Sequence, residues 1–237
     1  MNLVATYKDT VAHCPDSNSV TEKHFYKVSD RKMSAKPNIL VEALDSVSAL
    51  IKYSSESKTC VLNMASHVHP GGGVENGAKS QEECLFRCSN LFETMDKKFY
   101  PLEDDCCLYT TNALFFKDVY YNYIWAVTVD VISIAAFDLN LSHGRRSKIA
   151  DYERMTKNKI RLMCSLPAQH EAKNLILGAW GCGAFKNDPE KIANYFKEIL
   201  IEEGYSSLYD NVIFAVINDS LSVGNNYLVF KNAFENT

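Results

Sequence analysis

The chain has 237 residues, 46% of them apolar and 23% charged, enough for one sizeable core in an ordinary globular protein. Its 29 acidic residues outnumber its 25 basic ones, and no basic cluster stands out, which disfavours a duplex nucleic-acid surface. The opening MNLVATYKDT lacks the apolar core of a leader peptide, and the longest apolar run is broken by Asp130, so a cytoplasmic or nuclear protein without a membrane partner is expected. Eight cysteines show no C-x-x-C spacing, and they read as small buried hydrophobes in a reducing compartment rather than metal ligands or disulfides.

Taken in order, Leu3 to His13 has the pattern of a short helix, and Cys14 to Ser19 is rich in turn formers. Ile39 to Ala43 reads as a strand, followed by Asp45 as N-cap of a helix carrying Val47, Leu50 and Ile51. Cys60 to Leu62 is a strand feeding a polar loop with three consecutive glycines. Cys84, Cys88, Leu91, Phe92 and Met95 recur at helical spacing and predict one amphipathic helix from Gln81 to about Met95. Leu108 to Phe116 and Trp125 to Ala136 are rich in β-branched and aromatic residues and predict strands. Ile149, Tyr152, Ile160, Met163 and Leu166 line a helix expected to end near Pro167. Asn174 to Ala179 is a continuous apolar strand leading to a second glycine loop, Gly181-Cys182-Gly183. Asp188 caps the next helix, with Pro189 at its first position and an apolar face from Ile192 to Leu200. Val212 to Ile217 is a last buried strand. Strands alternating with helices predict an α/β sheet covered on both faces. Residues 1–36 are expected to form an extension packed on a single domain spanning 37–237.

Two features point to a site. In open α/β sheets ligands lie beyond the carboxyl ends of the strands, where both glycine loops fall. Three glycines in a row supply no side chain for packing, and a chain tolerates them where backbone must approach a ligand closely. The strand, Gly181-x-Gly183 and following helix start present free N–H groups suited to a phosphate or diphosphate. A tight strand-to-helix turn accounts for that spacing equally well. Ser80-x-x-Glu83 has the form of a capping box, with Glu82 an ordinary acidic residue of a first helical turn. Neither reading explains Gly71 to Gly73. His67 and His69 read as surface loop residues rather than metal ligands, Arg145 and Arg146 as a solvated pair, and Trp180 and Phe185 as half core, half cleft wall. Cys182, beside a helix start, is a candidate for a lowered thiol pKa.

The order Asn63-x-Ala65-Ser66, Pro70-Gly71-Gly72-Gly73, then Gln81-Glu82-Glu83 resembles the signature of microbial-type poly(ADP-ribose) glycohydrolases, which are catalytic macrodomains. Leu177 to Phe185 followed by Asn187-Asp188-Pro189 looks like the same family's diphosphate loop. The resemblance implies a three-layer α/β/α macrodomain with a mixed central sheet, acting as a glycosidase without cofactor or metal on poly(ADP-ribose) and ADP-ribosylated proteins. By position, Glu83 would be the catalytic acid and Glu82 its neighbour fixing ribose hydroxyls. Gly71, Gly72, Gly73 and Val74 would pass close to the diphosphate and distal ribose, with Asn63 and Ser66 near that ribose and Gln81 holding the catalytic segment. Gly181, Cys182, Gly183 and Ala184 would wrap the diphosphate, and Phe185 would lie against the ribose. The chain departs from the family pattern at Ala135-Ala136-Phe137-Asp138 and at Tyr109-Thr110-Thr111-Asn112. A mono-ADP-ribosyl hydrolase and a non-catalytic ADP-ribose reader are the alternatives the same residues allow.

Overall fold

The computed structural model describes residues 1–27, 38–55, 57–140, 151–218, 222 and 224–235. The expected boundary between residues 36 and 37, the pair Arg145–Arg146, and Ile149 lie outside the described residues. The first half runs α1 (Leu3–Ala12), β1 (Val20–Phe25), β2 (Asn38–Glu42), α2 (Ser46–Tyr53), β3 (Thr59–Met64), α3 (Gln81–Cys88) and α4 (Leu91–Thr94). Then come β4 (Cys106–Lys117), β5 (Tyr123–Ile134), α5 (Tyr152–Gln169), β6 (Asn174–Leu177), α6 (Pro189–Lys197), β7 (Asn211–Ala215) and α7 (Asn226–Phe234).

The strands form one mixed seven-stranded sheet in the order β1-β4-β5-β3-β6-β7-β2. Only β4 runs against its neighbours; β5, β3, β6, β7 and β2 are mutually parallel. Strand alternation sends successive side chains to opposite faces. Cys60 and Leu62 of β3, Leu175 and Leu177 of β6, and Val212 and Phe214 of β7 pack with Ile160, Met163, Phe196 and Phe230 of α5, α6 and α7. Val61, Ile176 and Ile213 point the other way, onto Val47 and Leu50 of α2 and Leu85, Phe86 and Cys88 of α3. Continuous apolar runs in β3, β6 and β7 are what a sheet buried on both faces requires. The result is the three-layer α/β/α macrodomain-like fold.

Two elements depart from the expected pattern. The helix predicted from Gln81 to about Met95 is broken at Ser89 and Asn90. Asn90 donates its N–H to Leu114 O at 3.1 Å and accepts the Leu114 N–H on its Oδ1 at 2.9 Å, so the chain there joins the edge of β4. Sheet pairing of two buried polar residues outweighs the helical periodicity around them. Pro167 does not end α5, which continues to Gln169, because residues after a proline can still donate to carbonyls behind them. The sequence reading missed β1 and α7.

The N-terminal helix is pinned by buried charge. Lys117, fully buried in β4, donates to Asp9 at 2.6 Å and to Thr10 Oγ1 at 2.9 Å, and Thr10 donates to Arg87 O at 2.6 Å. At the far side of the sheet, Asp188 caps α6 by accepting from Glu190 N and Lys191 N, at 2.9 and 3.4 Å, with Pro189 as first residue. Asp188→Ala should lower the free energy of unfolding by about 1 kcal/mol with an unchanged denaturant slope, measured by urea titration.

Candidate active site

β3 and β6 are adjacent and parallel, so the loops that leave them emerge side by side at one edge of the sheet. Between them lies a cleft of about 700 Å³, within the range of small-molecule sites. Its wall includes Ser66, Gly72, Gly73, Gln81, Glu82 and Glu83 on one side and Gly181, Gly183, Ala184 and Phe185 on the other.

The capping-box reading of Ser80 and Glu83 does not hold. Ser80 makes no side-chain cap bond, and Glu83 turns away from its own helix toward the glycine loop. Glu83 Oε1 accepts the Gly73 N–H at 2.9 Å. Its other oxygen, Oε2, is buried without a hydrogen-bond partner among the described residues. A buried polar atom left unpaired in an otherwise satisfied site marks a position reserved for chemistry or a ligand.

Glu82 is held far more tightly. Oε2 accepts the Ser66 N–H at 2.7 Å, and Oε1 accepts from Gly71 N at 3.2 Å and Asn63 Nδ2 at 3.3 Å. Burial pushes its carboxyl up to about 8, the Ser66 N–H pulls it down, and Glu83 alongside adds to the rise. Gln81 seals the joint between α3 and the sheet. Its amide donates to Leu62 O at 2.7 Å and Ser46 Oγ at 3.0 Å, while its carbonyl accepts the Met64 N–H at 2.9 Å.

The first loop must be glycine for reasons of space. A Cβ on Gly72, at φ +56°, would sit 2.6 Å from Glu83 Oε1 and 3.1 Å from Glu82 Oε2. One on Gly71, at φ +71°, would strike the Phe86 ring at 2.6 Å. Ser66 Oγ shapes the approach by accepting from Val68 N and His69 N. The second loop is built around Asn187, whose amide donates to Phe137 O at 2.8 Å and Gly181 O at 3.0 Å while Tyr152 donates to its Oδ1. Trp180 closes the floor, its indole donating to Ile134 O at 3.0 Å. Over the top, the His67 and Phe185 rings meet edge to face at 6.3 Å, joining the two loops.

The family description "Microbial-type PARG, catalytic domain" (poly(ADP-ribose) glycohydrolase) matches residues 4–121, which carry the first glycine loop and both glutamates. Among solved structures, the poly(ADP-ribose) glycohydrolase of Deinococcus radiodurans in complex with ADP-ribose is 26% identical, with a TM-score of 0.74 over 84% of each chain. That of Thermomonospora curvata superimposes with a TM-score of 0.78 over 97% of this chain and 89% of the other, at 23% identity. Its complex with the inhibitor ADP-HPD gives a TM-score of 0.76 at 23% identity, over 97% of this chain and 88% of the other. No curated protein sequence matches.

The chain belongs to the microbial-type poly(ADP-ribose) glycohydrolase family.

Within this glycohydrolase cleft the residues singled out from sequence fall into two groups. Glu82, Glu83, Gln81, Ser66, Gly72, Gly73, Gly181, Gly183, Ala184 and Phe185 line it. Asn63, Gly71, Val74 and Cys182 do not; they lie just behind the wall, Asn63 bridging Glu82 and Ser133. The candidate reactivity of Cys182 is overturned, since the thiol is fully buried and burial raises its pKa. Of the two departures from the family pattern, only the first reaches the cleft, through Ala136; Tyr109 is buried elsewhere, donating to Asp130 at 2.9 Å.

The far end of the cleft escaped the sequence reading. Asp45, Ser46, Val119, Tyr121, Ile217 and Asn226 line it. Asp45 does cap α2, accepting from Val47 N and Ser48 N, and so hid behind an adequate structural explanation. Its signal was positional: α2 begins just after β2, a parallel strand whose carboxyl end faces the same edge as both loops.

Two measurements probe the glutamate pair. Gly72→Ala should displace Glu83 and lower turnover by about 10² or more while leaving a folded protein, checked by steady-state rates beside circular dichroism. For Glu82, the folded state keeps a proton that the unfolded chain gives up above about 4.5. Stability should therefore fall as pH rises from about 4.5 to about 8, and Glu82→Gln should flatten that slope in thermal melts across the range.

Proposed function

We propose that the cleft binds the ADP-ribose end of a poly(ADP-ribose) chain and hydrolyses its ribose–ribose O-glycosidic bond, with Glu83 as the acid and then the base. The observation that supports this reading is the unpaired, buried Oε2 of Glu83 in the wall of the cleft. One oxygen of the carboxyl is anchored by Gly73, which fixes the aim of the other.

Most glycosidases set two carboxylates on opposite sides of the scissile bond. Here the two are neighbours on one helix, and Glu82 is tied to Ser66, Gly71 and Asn63, which keeps it from swinging across the sugar. Glu83 therefore serves both proton steps. Protonated in the complex, it donates from Oε2 to the leaving ribose oxygen as the anomeric carbon gains oxocarbenium character. The resulting carboxylate then takes a proton from the water that attacks that carbon. Glu82 Oε2, which accepts only the Ser66 N–H, keeps a lone pair for a ribose hydroxyl.

The bare backbone of the two loops, Gly72–Gly73 and Gly181–Gly183, is suited to a diphosphate between them, whose negative charge steadies the developing cation. Residues 1–36 act as an extension bracing the 37–237 macrodomain. ADP-ribosylated proteins are the natural macromolecular substrates. Cysteines used mostly as small buried hydrophobes fit a reducing compartment, and we assign the enzyme to the cytoplasm. Among the described residues no helix is long and apolar enough to cross a membrane.

Glu83→Gln should reduce release of ADP-ribose from labelled poly(ADP-ribose) by about 10²–10⁴. Its affinity for ADP-ribose by calorimetry should stay within a few fold. A normal rate in this variant would remove Glu83 from the mechanism. Parallel assay on mono-modified protein separates polymer cleavage from removal of single units.

A further inference from the structure

The residue after Glu83 is a cysteine that also lines the cleft, and the proton steps above do not use it. Cys84 and Cys88 lie one helical turn apart on α3, the positions of neighbouring side chains on one face. Cys84 is half-buried and open to the cleft; Cys88 is fully buried and donates to Asp118 O at 3.2 Å. Between them in sequence stands Arg87, itself fully buried. Its guanidinium donates to Ala78 O and to Leu3 O, its Nη1 has no partner, and it lies 6.0 Å from the centre of the Tyr121 ring. Among the described residues no carboxylate is paired with it. A buried cation without a counter-ion is costly, and a thiolate beside it supplies one.

We propose that Cys84 is a nucleophilic thiol of the cleft wall, with Arg87 as its counter-ion, and that with Cys88 it forms a peroxide-reactive modification site. The groups facing Cys84 favour this division of roles. The neighbouring Cys88 thiol lowers the Cys84 pKa most, with Tyr121 and Arg87 adding to it, against burial and the Asp45 carboxylate. The Cys84 neighbour and burial push the Cys88 thiol up.

In the first step the Cys84 thiolate attacks a peroxide oxygen, breaking the O–O bond to give a sulfenic acid and hydroxide. The Cys88 thiol then attacks that sulfur, forming the S–S bond and releasing water. Two thiols are oxidised to one disulfide while one peroxide, with the two thiol protons, is reduced to two waters. Cβ atoms one helical turn apart stand about 5–6 Å from each other. A disulfide needs about 3.5–4.5 Å. The last turn of α3 must therefore contract up to Cys88, its final residue, while Asn90 beyond it stays tied to Leu114. Glu83 sits directly upstream, so the bond also drags the catalytic carboxyl.

The test is chemical and independent of the substrate assigned above. The purified full-length chain is treated with hydrogen peroxide and then digested with trypsin, which cuts after Arg87 and separates the two cysteines. Wild type should yield the two flanking peptides joined by a disulfide, and Cys88→Ser should yield a sulfenic acid at Cys84 that dimedone traps. Iodoacetamide should label Cys84 about tenfold faster than any of the other seven thiols. Turnover of wild type should fall as the linked peptide accumulates and return with dithiothreitol, while Cys84→Ser keeps its own starting rate under peroxide. Labelling of another cysteine first, or a Cys84 peptide of unchanged mass after peroxide, would overturn the site. A disulfide that leaves turnover intact would overturn its link to catalysis.

Discussion

The site depends on a single buried carboxylate that never needs to touch the scissile bond. Glu82 gathers N–H groups from the end of β3, from the glycine loop and from Asn63 into one point. Burial outweighs those three donors and keeps the carboxyl protonated up to about 8. The donors in turn fix the path of a loop that has almost no side chains with which to pack. Glu83 inherits its position from this arrangement, because one turn of helix cannot move one of the pair without the other. The division of labour between two adjacent glutamates thus follows from their partners: one is bonded on both oxygens and held still, the other is bonded on one oxygen and open on the second.

Bare main chain on both sides of the cleft is the complementary constraint. At Gly72 the missing Cβ is occupied by the glutamate carboxylates themselves, and at Gly181 by Ala136 and the Asn187 amide. The space a side chain would take is already in use by the groups that shape the cleft. These glycines are therefore demanded twice, once by positive φ and once by crowding, and a larger residue at Gly72 would be felt at the Glu83 carboxylate.

Much of this was legible in the sequence, for identifiable reasons. β3, β6 and β7 announce themselves because burial on both faces gives each a run of consecutive apolar residues, and α2 and α6 because Asp45 and Asp188 are ordinary caps. The glycine loops stand out because nothing structural accounts for three glycines in succession. What failed to show was decided by long-range contacts. The break at Ser89–Asn90 exists only because β4 offers a partner, twenty-odd residues downstream, for the Asn90 amide. β1 carries a mixed pattern, VTEKHF, since an edge strand is covered only in part. Glu83 read as a capping residue because the competing donor, the Gly73 N–H, is near only once the loop has folded back.

The same logic reaches the N-terminus, where α1 is more than a cover. Arg87 stands four residues after Glu83 on α3, and its guanidinium holds both the Ala78 carbonyl, just before the catalytic helix, and the Leu3 carbonyl at the start of α1. Thr10 of α1 answers by donating to the Arg87 carbonyl while receiving Lys117. Two buried cations, Lys117 bonded to Asp9 and Thr10 of α1 and Arg87 to the Leu3 and Ala78 carbonyls, link the first dozen residues to the helix bearing both glutamates. Removing α1 would leave Arg87 and Lys117 buried and short of partners, a cost the neighbouring helix could relieve only by shifting outward. Since the aim of Glu83 Oε2 is set by one hydrogen bond to a loop that Arg87 helps to hold, a shift there is a loss of catalytic alignment before it is a loss of fold.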